Sequence, residues 1–474
     1  MKDNLTLKEA QEALSKRRIS VHELCKFYSE RIKEKNGDIS AFLEVFEDLE
    51  KQAKEAQKSI DEGEASSLTG IPLAIKDNIL IKDRKVSAAS AMLEDFVAPY
   101  DSTVAGKLKK EKTVFLGRTN MDEFAMGAST EKSAFIITRN PNDTSRVPGG
   151  SSGGSAAAVS SGMAPAALGS DTGGSVRQPA SFCGCVGLKP TYGAVSRFGL
   201  IAMGSSLDQI GPLTQTVTDS EILFESIAGR DPFDGTTYER EAFKEEKKPK
   251  DTVVGVPWHL IRQDGVDKEV LEVFKKNISE LEKLGYKTKE VKLPQLEYTL
   301  SAYYVLVQAE ISSNMARFDG MRYGAKVEGK DLLEEYMKTR ALFGKEVKRR
   351  IMVGTYVLSA GYYDTYYNKA YTVRKLAISD FERVFSKDKV DVVAFPTSPT
   401  PAFKVGEKNE DPVQMYMADV FTVPANIAGV PAISIPSGTV VKEGKELPSG
   451  LQFMAPWKRE DVLFSVGKHF KKEV

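Results

Sequence analysis

The sequence predicts an α/β protein, and three observations carry that expectation. Strand-like apolar runs and helix-like amphipathic stretches alternate into and beyond a glycine-rich centre, the pattern of a sheet covered by helices rather than of a helical bundle. Hydrophobic residues make up 41% of the 474 positions and charged residues 28%, enough for a core and a solvated surface. No uninterrupted apolar run approaches the length of a membrane span. By length alone, a chain of this size defaults to two domains.

Taken in order, Thr6-x-x-Glu9 and Ser20-x-x-Glu23 are capping boxes, each opening apolar residues at helical spacing. Charged residues 50–64 read as a solvated helix, so residues 1–65 are expected to be a mostly helical preface packed on a body of residues 66–474. The run Ile71-Pro72-Leu73-Ala74-Ile75-Lys76 is a buried strand that ends in a lysine. Asp101-Ser102 caps a helix through Lys109, and residues 113–116 form the next strand. Asp122-Glu123 reads as a helix start. Past the centre, Thr218-x-x-Glu221 is expected to cap a helix ending at Gly229, and residues 231–251, rich in Glu and Lys, to form an exposed connection. Residues 253–256 are a strand. The helical face Val270, Val273, Phe274, Ile278 and Leu281 is stopped by Gly285, and residues 286–293 alternate as a strand. Residues 303–364 are helical in spacing, and the stripe of Tyr303, Tyr304, Tyr356, Tyr362 and Tyr363 is the pattern of an aromatic core. Residues 391–396 and 432–436 are buried strands ending in proline.

The most informative stretch is Gly149-Gly150-Ser151-Ser152-Gly153-Gly154-Ser155, followed by Asp171-Thr172-Gly173-Gly174-Ser175. In each turn a glycine pair precedes a serine. Such a turn opening a helix can present a hydroxyl beside bare main-chain N–H groups, the geometry that acyl transfer needs. Ala156–Val159 reads as a short, tightly packed helix, Ala166–Gly169 as a buried strand, and Val176-Arg177-Gln178 as the start of a second helix. Gly/Ser runs are also the composition of linkers, but here apolar and alanine-rich segments follow. A phosphate loop is disfavoured, because no glycine run leads into Gly-Lys-Ser/Thr and no G-x-G-x-x-G links a strand to a helix.

A nucleophilic serine needs a base. The three histidines, His22, His259 and His469, each have a plain structural setting. The best substitute is a lysine in apolar surroundings, because burial favours the neutral amine. Lys76, at the end of its apolar run, is that residue, although a lysine is most often a solvated surface charge.

These residues together resemble the amidase signature family. The resemblance rests on residues 149–155, the Asp171–Ser175 turn, Arg177-Gln178-Pro179-Ala180, the Lys76 segment and the 24-residue separation of Ser151 from Ser175. It implies an amidase signature fold, one large α/β unit whose mixed β-sheet core is covered by helices on both faces. It also implies a Ser–Ser–Lys triad of Ser175, Ser151 and Lys76, with a cis peptide before Ser151. Within the family, residues 116–127, 188–193, 317–320 and 422–431 are similar to glutamine-hydrolysing subunits of tRNA-dependent amidotransferases. Cys185 and Arg118 depart from that pattern, where an apolar residue and a lysine are expected. The likeness implies that glutamine is split to glutamate and ammonia through an acyl-enzyme on Ser175. The backbone N–H groups of Thr172, Gly173, Gly174 and Ser175 would form the oxyanion hole. Tyr303, Arg350 and Asp419 would form the substrate pocket, with Arg349 adjacent to Arg350 in the register. It further implies a heterotrimer with the amidotransferase's B and C subunits, ATP and Mg²⁺ acting at the B subunit, and no cofactor or metal in this chain. The alternatives are a free-standing amidase acting on another small amide and a catalytically silent scaffold.

Charge bears on the partners. Lys and Arg number 66 and Asp and Glu 66, so the chain lacks the basic excess of a protein that grips tRNA alone, and the B subunit is expected to hold most of it. Cys25, Cys183 and Cys185 cannot build a disulfide framework or a paired zinc site. With no charged-then-apolar leader at Met1–Asn4, a reducing cytosol is the expected address.

Overall fold

The computed structural model describes residues 5–240, 248–408 and 411–473. The leader reading at Met1–Asn4 and the middle of the 231–251 connection lie outside the described residues. Eleven strands form one sheet: β1 (Phe42–Val45), β2 (Pro72–Lys76), β3 (Val114–Thr119), β4 (Ala166–Asp171), β5 (Val186–Lys189), β6 (Gln209–Thr214), β7 (Val253–Val256), β8 (Lys287–Glu290), β9 (Val392–Pro396), β10 (Ala432–Lys442) and β11 (Lys445–Met454). Their order is β1-β3-β2-β4-β6-β5-β10-β11-β9-β7-β8. The sheet is mixed: β2 runs parallel to β3 and β4, and β7 to β8 and β9, whereas the other pairs are antiparallel.

β2 is buried at all five positions between two parallel neighbours, which is why its sequence is a continuous apolar run rather than an alternating one. Its C-terminal end delivers Lys76. β4 lies beside it and ends at Asp171, so both serine turns gather at the carboxyl ends of adjacent strands, where open α/β sheets bind ligands. The helix Gly153–Ser160 between them is almost entirely buried and built of Gly, Ala, Ser and Val. Its small side chains are a packing requirement: a Cβ on Gly154 would stand 2.4 Å from the Asn120 carbonyl oxygen and 2.6 Å from that of Ala41. The second turn leads into the buried helix Arg177–Cys183.

Both N-terminal capping boxes form, on the helices Leu7–Ser15 and Val21–Ile39. Within the same preface, β1 pairs with β3 at one edge of the sheet. Three expectations are corrected. The helix Val217–Ile227 is capped by Thr216, whose side chain accepts from Asp219 N–H. Thr218 lies inside the helix and bonds Glu473 instead. The start of the 231–251 connection is pinned rather than solvated: Asp231 accepts from Ser196 Oγ and Asp234 pairs with Arg197. Tyr356, Tyr362 and Tyr363 are 47, 40 and 41% exposed, leaving Tyr303 buried and Tyr304 partly buried as the core members of the stripe. The residues 303–364 pattern alone could not separate these, because the helix Lys345–Leu358 shows one face to solvent. No helix among the described residues is long and apolar enough to cross a membrane.

Candidate active site

Lys76 is completely enclosed, and four oxygens surround its amine. Nζ donates to Ser151 Oγ at 2.7 Å, Ser152 Oγ at 2.8 Å, Ser170 Oγ at 2.9 Å and the Ser170 carbonyl at 3.3 Å. Burial lowers its pKa from 10.5 to about 7, against the opposing charges of Asp122, Asp171 and Asp208. An amine in that position exchanges its proton with a hydroxyl near neutral pH. The histidines are engaged elsewhere, His22 with Glu50, His259 with the Leu293 N–H and His469 with the Ser465 carbonyl.

Ser151 has no exposure and Ser175 retains 8%. The two serine turns are joined through their backbones, Ser152 N–H donating to the Ser175 carbonyl at 3.1 Å, and the Gly150–Ser151 peptide is cis. No acceptor is found among the described residues for the N–H groups of Gly173, Gly174 and Ser175. Gly174 has φ +146°, and a Cβ there would stand 2.2 Å from Thr422 Oγ1. One on Gly173 would meet the Tyr303 hydroxyl at 2.6 Å. Thr172 is tied down differently, its hydroxyl donating to Asp208 at 2.7 Å. Below the turn, Arg177 makes two bonds to Asp171, at 3.0 and 2.9 Å, and also donates to Thr422 O, Gln452 and Asn426. Burial would raise Asp171, but Arg177 and Asn426 hold it at about 2.

Tyr303 and Asp419 both border the second turn, Asp419 Oδ1 standing 3.2 Å from where a Gly174 Cβ would lie. That Oδ1 is buried with no hydrogen-bond partner among the described residues. Burial and the nearby charge of Asp171 push the Asp419 carboxyl well up, with Arg350 opposing. Of the two adjacent arginines, Arg350 is the inward one at 4% exposure. Its Nε donates to Glu346 at 2.7 Å, and its guanidinium lies over Tyr304 and Tyr416 at 5.6 and 5.5 Å. Arg349, half-buried, also reaches Glu346.

Of the predicted residues, Lys76 and Ser151 therefore meet from β2 and the first turn, Tyr303 and Asp419 border the second turn that carries Ser175, and Arg350, on the helix Lys345–Leu358, lies against Glu346, Tyr304 and Tyr416. Sequence reasoning missed Ser152 and Ser170, the second and third hydroxyls on Lys76, and Asp208 beneath Thr172. Neither Ser152 nor Ser170 belongs to a recognisable spacing; only the pairing of β2 with β4 brings Ser170 to Lys76. Arg118 bridges Glu44 at 2.7 Å and Asp77 at 3.0 Å, so this departure from the expected lysine is satisfied by two carboxylates. Cys185 is simply buried. Among the described residues no group of three or more His, Cys, Asp and Glu side chains is arranged around a possible metal ion.

Residues 23–464 match the family described as Amidase. The chain belongs to the amidase family. Among curated family members it is 52% identical over 468 residues to the A subunit of glutamyl-tRNA(Gln) amidotransferase from Thermodesulfovibrio yellowstonii, covering 97% of this chain and 96% of that one. It is 50% identical to the protein of the same name from Caldanaerobacter subterraneus subsp. tengcongensis, covering 99% and 96%. A crystal structure of the A subunit of glutamyl-tRNA(Gln) amidotransferase from Thermotoga maritima superposes with a TM-score of 0.80 at 42% identity, over 99% of this chain and 94% of that one. The amidase fold, a large mixed sheet between helices, is thus the one expected.

Proposed function

We propose that this amidase is the glutaminase subunit of a glutamyl-tRNA(Gln) amidotransferase, and that it splits glutamine to glutamate and ammonia through a Ser–Ser–Lys triad. The observation that carries the reading is the enclosed Lys76 amine, 2.7 Å from Ser151 Oγ, in a chain about half identical to proteins of that name. The neutral amine takes a proton from Ser151 as Ser151 takes one from Ser175, and Ser175 Oγ attacks the side-chain carbonyl carbon of glutamine. The N–H groups of Thr172, Gly173, Gly174 and Ser175 hold the oxyanion, each donor contributing about 3 kcal/mol in systems of this kind. The C–N bond breaks, the relay returns its proton to the departing ammonia, and water hydrolyses the glutamyl ester. Arg350 grips the substrate's α-carboxylate, Asp419 receives its ammonium, and Tyr303 walls the pocket beside Gly173.

In this reading residues 1–65 are a preface on a catalytic body of residues 66–474. The ammonia passes to the B subunit, where ATP and Mg²⁺ act on misacylated tRNA. A heterotrimer is completed by the C subunit, and the complex works in the cytosol. The neutral net charge supports leaving most of the tRNA contact to the B subunit. Ser175→Ala in the assembled complex is expected to abolish ammonia release from glutamine while amidation from added ammonium continues. Glutamine hydrolysis surviving in that variant, or loss of both reactions, would overturn the assignment.

A further inference from the structure

The turn that carries Ser151 is held at several backbone polar groups, and three of those bonds come from two side chains outside the proposed triad. Thr130 Oγ donates to the Gly149 carbonyl at 2.8 Å and accepts from Gly153 N–H at 3.1 Å, so one hydroxyl spans the turn from end to end. Gln178 Oε1 accepts from Gly150 N–H at 3.0 Å, while its Nε2 donates to the Ala128 carbonyl at 3.0 Å. Backbone contacts complete the set: Asp122 N–H donates to the Ser151 carbonyl at 3.3 Å and Ser152 N–H to that of Ser175 at 3.1 Å. Two glycines of the motif make room for this arrangement. A Cβ on Gly153 would lie 2.2 Å from Thr130 Oγ1, and one on Gly149 would lie 2.4 Å from Gln178 Oε1.

Thr130 holds its place against its own backbone preference. It sits at φ +60°, a left-handed conformation that β-branched residues rarely adopt, and it is completely buried. The Asp122 carboxylate fixes the segment by accepting the N–H groups of Thr130 at 2.9 Å, Lys132 at 3.1 Å and Ser129 at 3.3 Å. Glycine would suit that backbone better, so the reason for threonine lies in its hydroxyl, which meets the two ends of the turn.

We infer that Thr130 and Gln178 are positioning residues that set where the Ser151 hydroxyl stands between Lys76 and Ser175. The inference rests on the glutaminase reading above. Misplacing a reacting group by about 1 Å can slow chemistry about 100-fold without weakening substrate binding, so kcat should respond and KM should not. The test measures glutamine hydrolysis by the full chain, in the assembly it purifies with, together with the melting temperature and the rate at which an electrophilic glutamine analogue labels Ser175.

Thr130→Val is expected to lower kcat and labelling by about 10- to 100-fold with KM nearly unchanged, and Thr130→Ser, which keeps the hydroxyl, to restore most of the rate. A folded Thr130→Val enzyme with kcat within about twofold of the parent, or a Thr130→Ser enzyme as slow as the valine variant, would overturn the inference. Should the valine variant fail to fold, Gln178→Leu decides in the same way: a folded protein with parental kcat counts against the clamp, and a selective fall in kcat supports it. Ser175→Ala is run alongside. If it still hydrolyses glutamine, the glutaminase reading has failed; if it is inactive while the clamp variants are fully active, only the clamp has.

Discussion

Two lysines of this protein share a sequence setting and a degree of burial, yet their surroundings differ. Lys76 ends β2 after Ala74-Ile75, and Lys189 ends β5 after Gly187-Leu188. Both are buried, and burial lowers each to about pH 7. Lys76 faces three serine hydroxyls, and the turn of one of them, Ser151, is bonded through its backbone to the turn that carries Ser175. Lys189 Nζ donates to the carbonyl of Pro190, the next residue, at 2.8 Å, with the Arg177 guanidinium adding to the depression of its charge. A depressed amine is therefore a consequence of enclosure, whereas a proton relay requires hydroxyls within reach and a route to substrate. Geometry separates the two where titration alone does not.

The sharpest way to break this comparison is to remove each amine in turn. Lys76→Met should lower kcat for glutamine hydrolysis by about 10²- to 10⁴-fold, the range of a lost general base, while Lys189→Met should stay within about tenfold of the parent. Steady-state ammonia release measures both. Equal losses would show that the relay is not specific to Lys76.

A second test concerns Arg177, which stands between the two regions and spreads its bonds over Asp171, Thr422, Gln452 and Asn426. Arg177→Met leaves the Asp171 carboxylate buried without its cation and should cost about 3–5 kcal/mol in denaturant unfolding. Asp171 should then titrate upward from about 2, because the guanidinium that opposes burial is gone. A variant as stable as the parent would contradict the view that this pair anchors the second turn.

The two lysines also make the comparison dependent on pH. Because Lys76 must be neutral to accept a proton, kcat should fall about tenfold per unit as pH drops below about 7, and Lys189→Met should leave that limb unmoved. Stability follows the opposite end of the scale. In the folded protein both amines are neutral above about pH 7, but in the unfolded chain they stay protonated to 10.5, so unfolding takes up protons between those values. Stability should therefore rise with pH across that window, with no slope from these groups below it, and either Met variant should flatten the rise. Urea midpoints at a series of pH values would read this.

Much of the site is legible in the sequence because its signals are local. Glycine pairs before serines, an apolar run ending in lysine, and the helix starts after each turn depend on neighbours in the chain, as do the two capping boxes. The surface tyrosines escape such a reading because spacing identifies a helical stripe without saying whether another element covers it. Thr218-x-x-Glu221 satisfies the capping pattern, yet Thr216 lies two residues earlier in an extended conformation that suits the role.

From the sequence alone came the fold class, the two serine turns and a lysine suited to burial, since each follows from short-range periodicity and backbone preference. Which buried lysine meets hydroxyls, which arginine of the Arg349-Arg350 pair turns inward, and the grip of Thr130 and Gln178 on the Ser151 turn were decided only by the tertiary structure. The contacts of Lys76 and of the Ser151 turn join residues 19 to 94 positions apart, and they exist because strand order and helix packing bring distant segments within hydrogen-bond range.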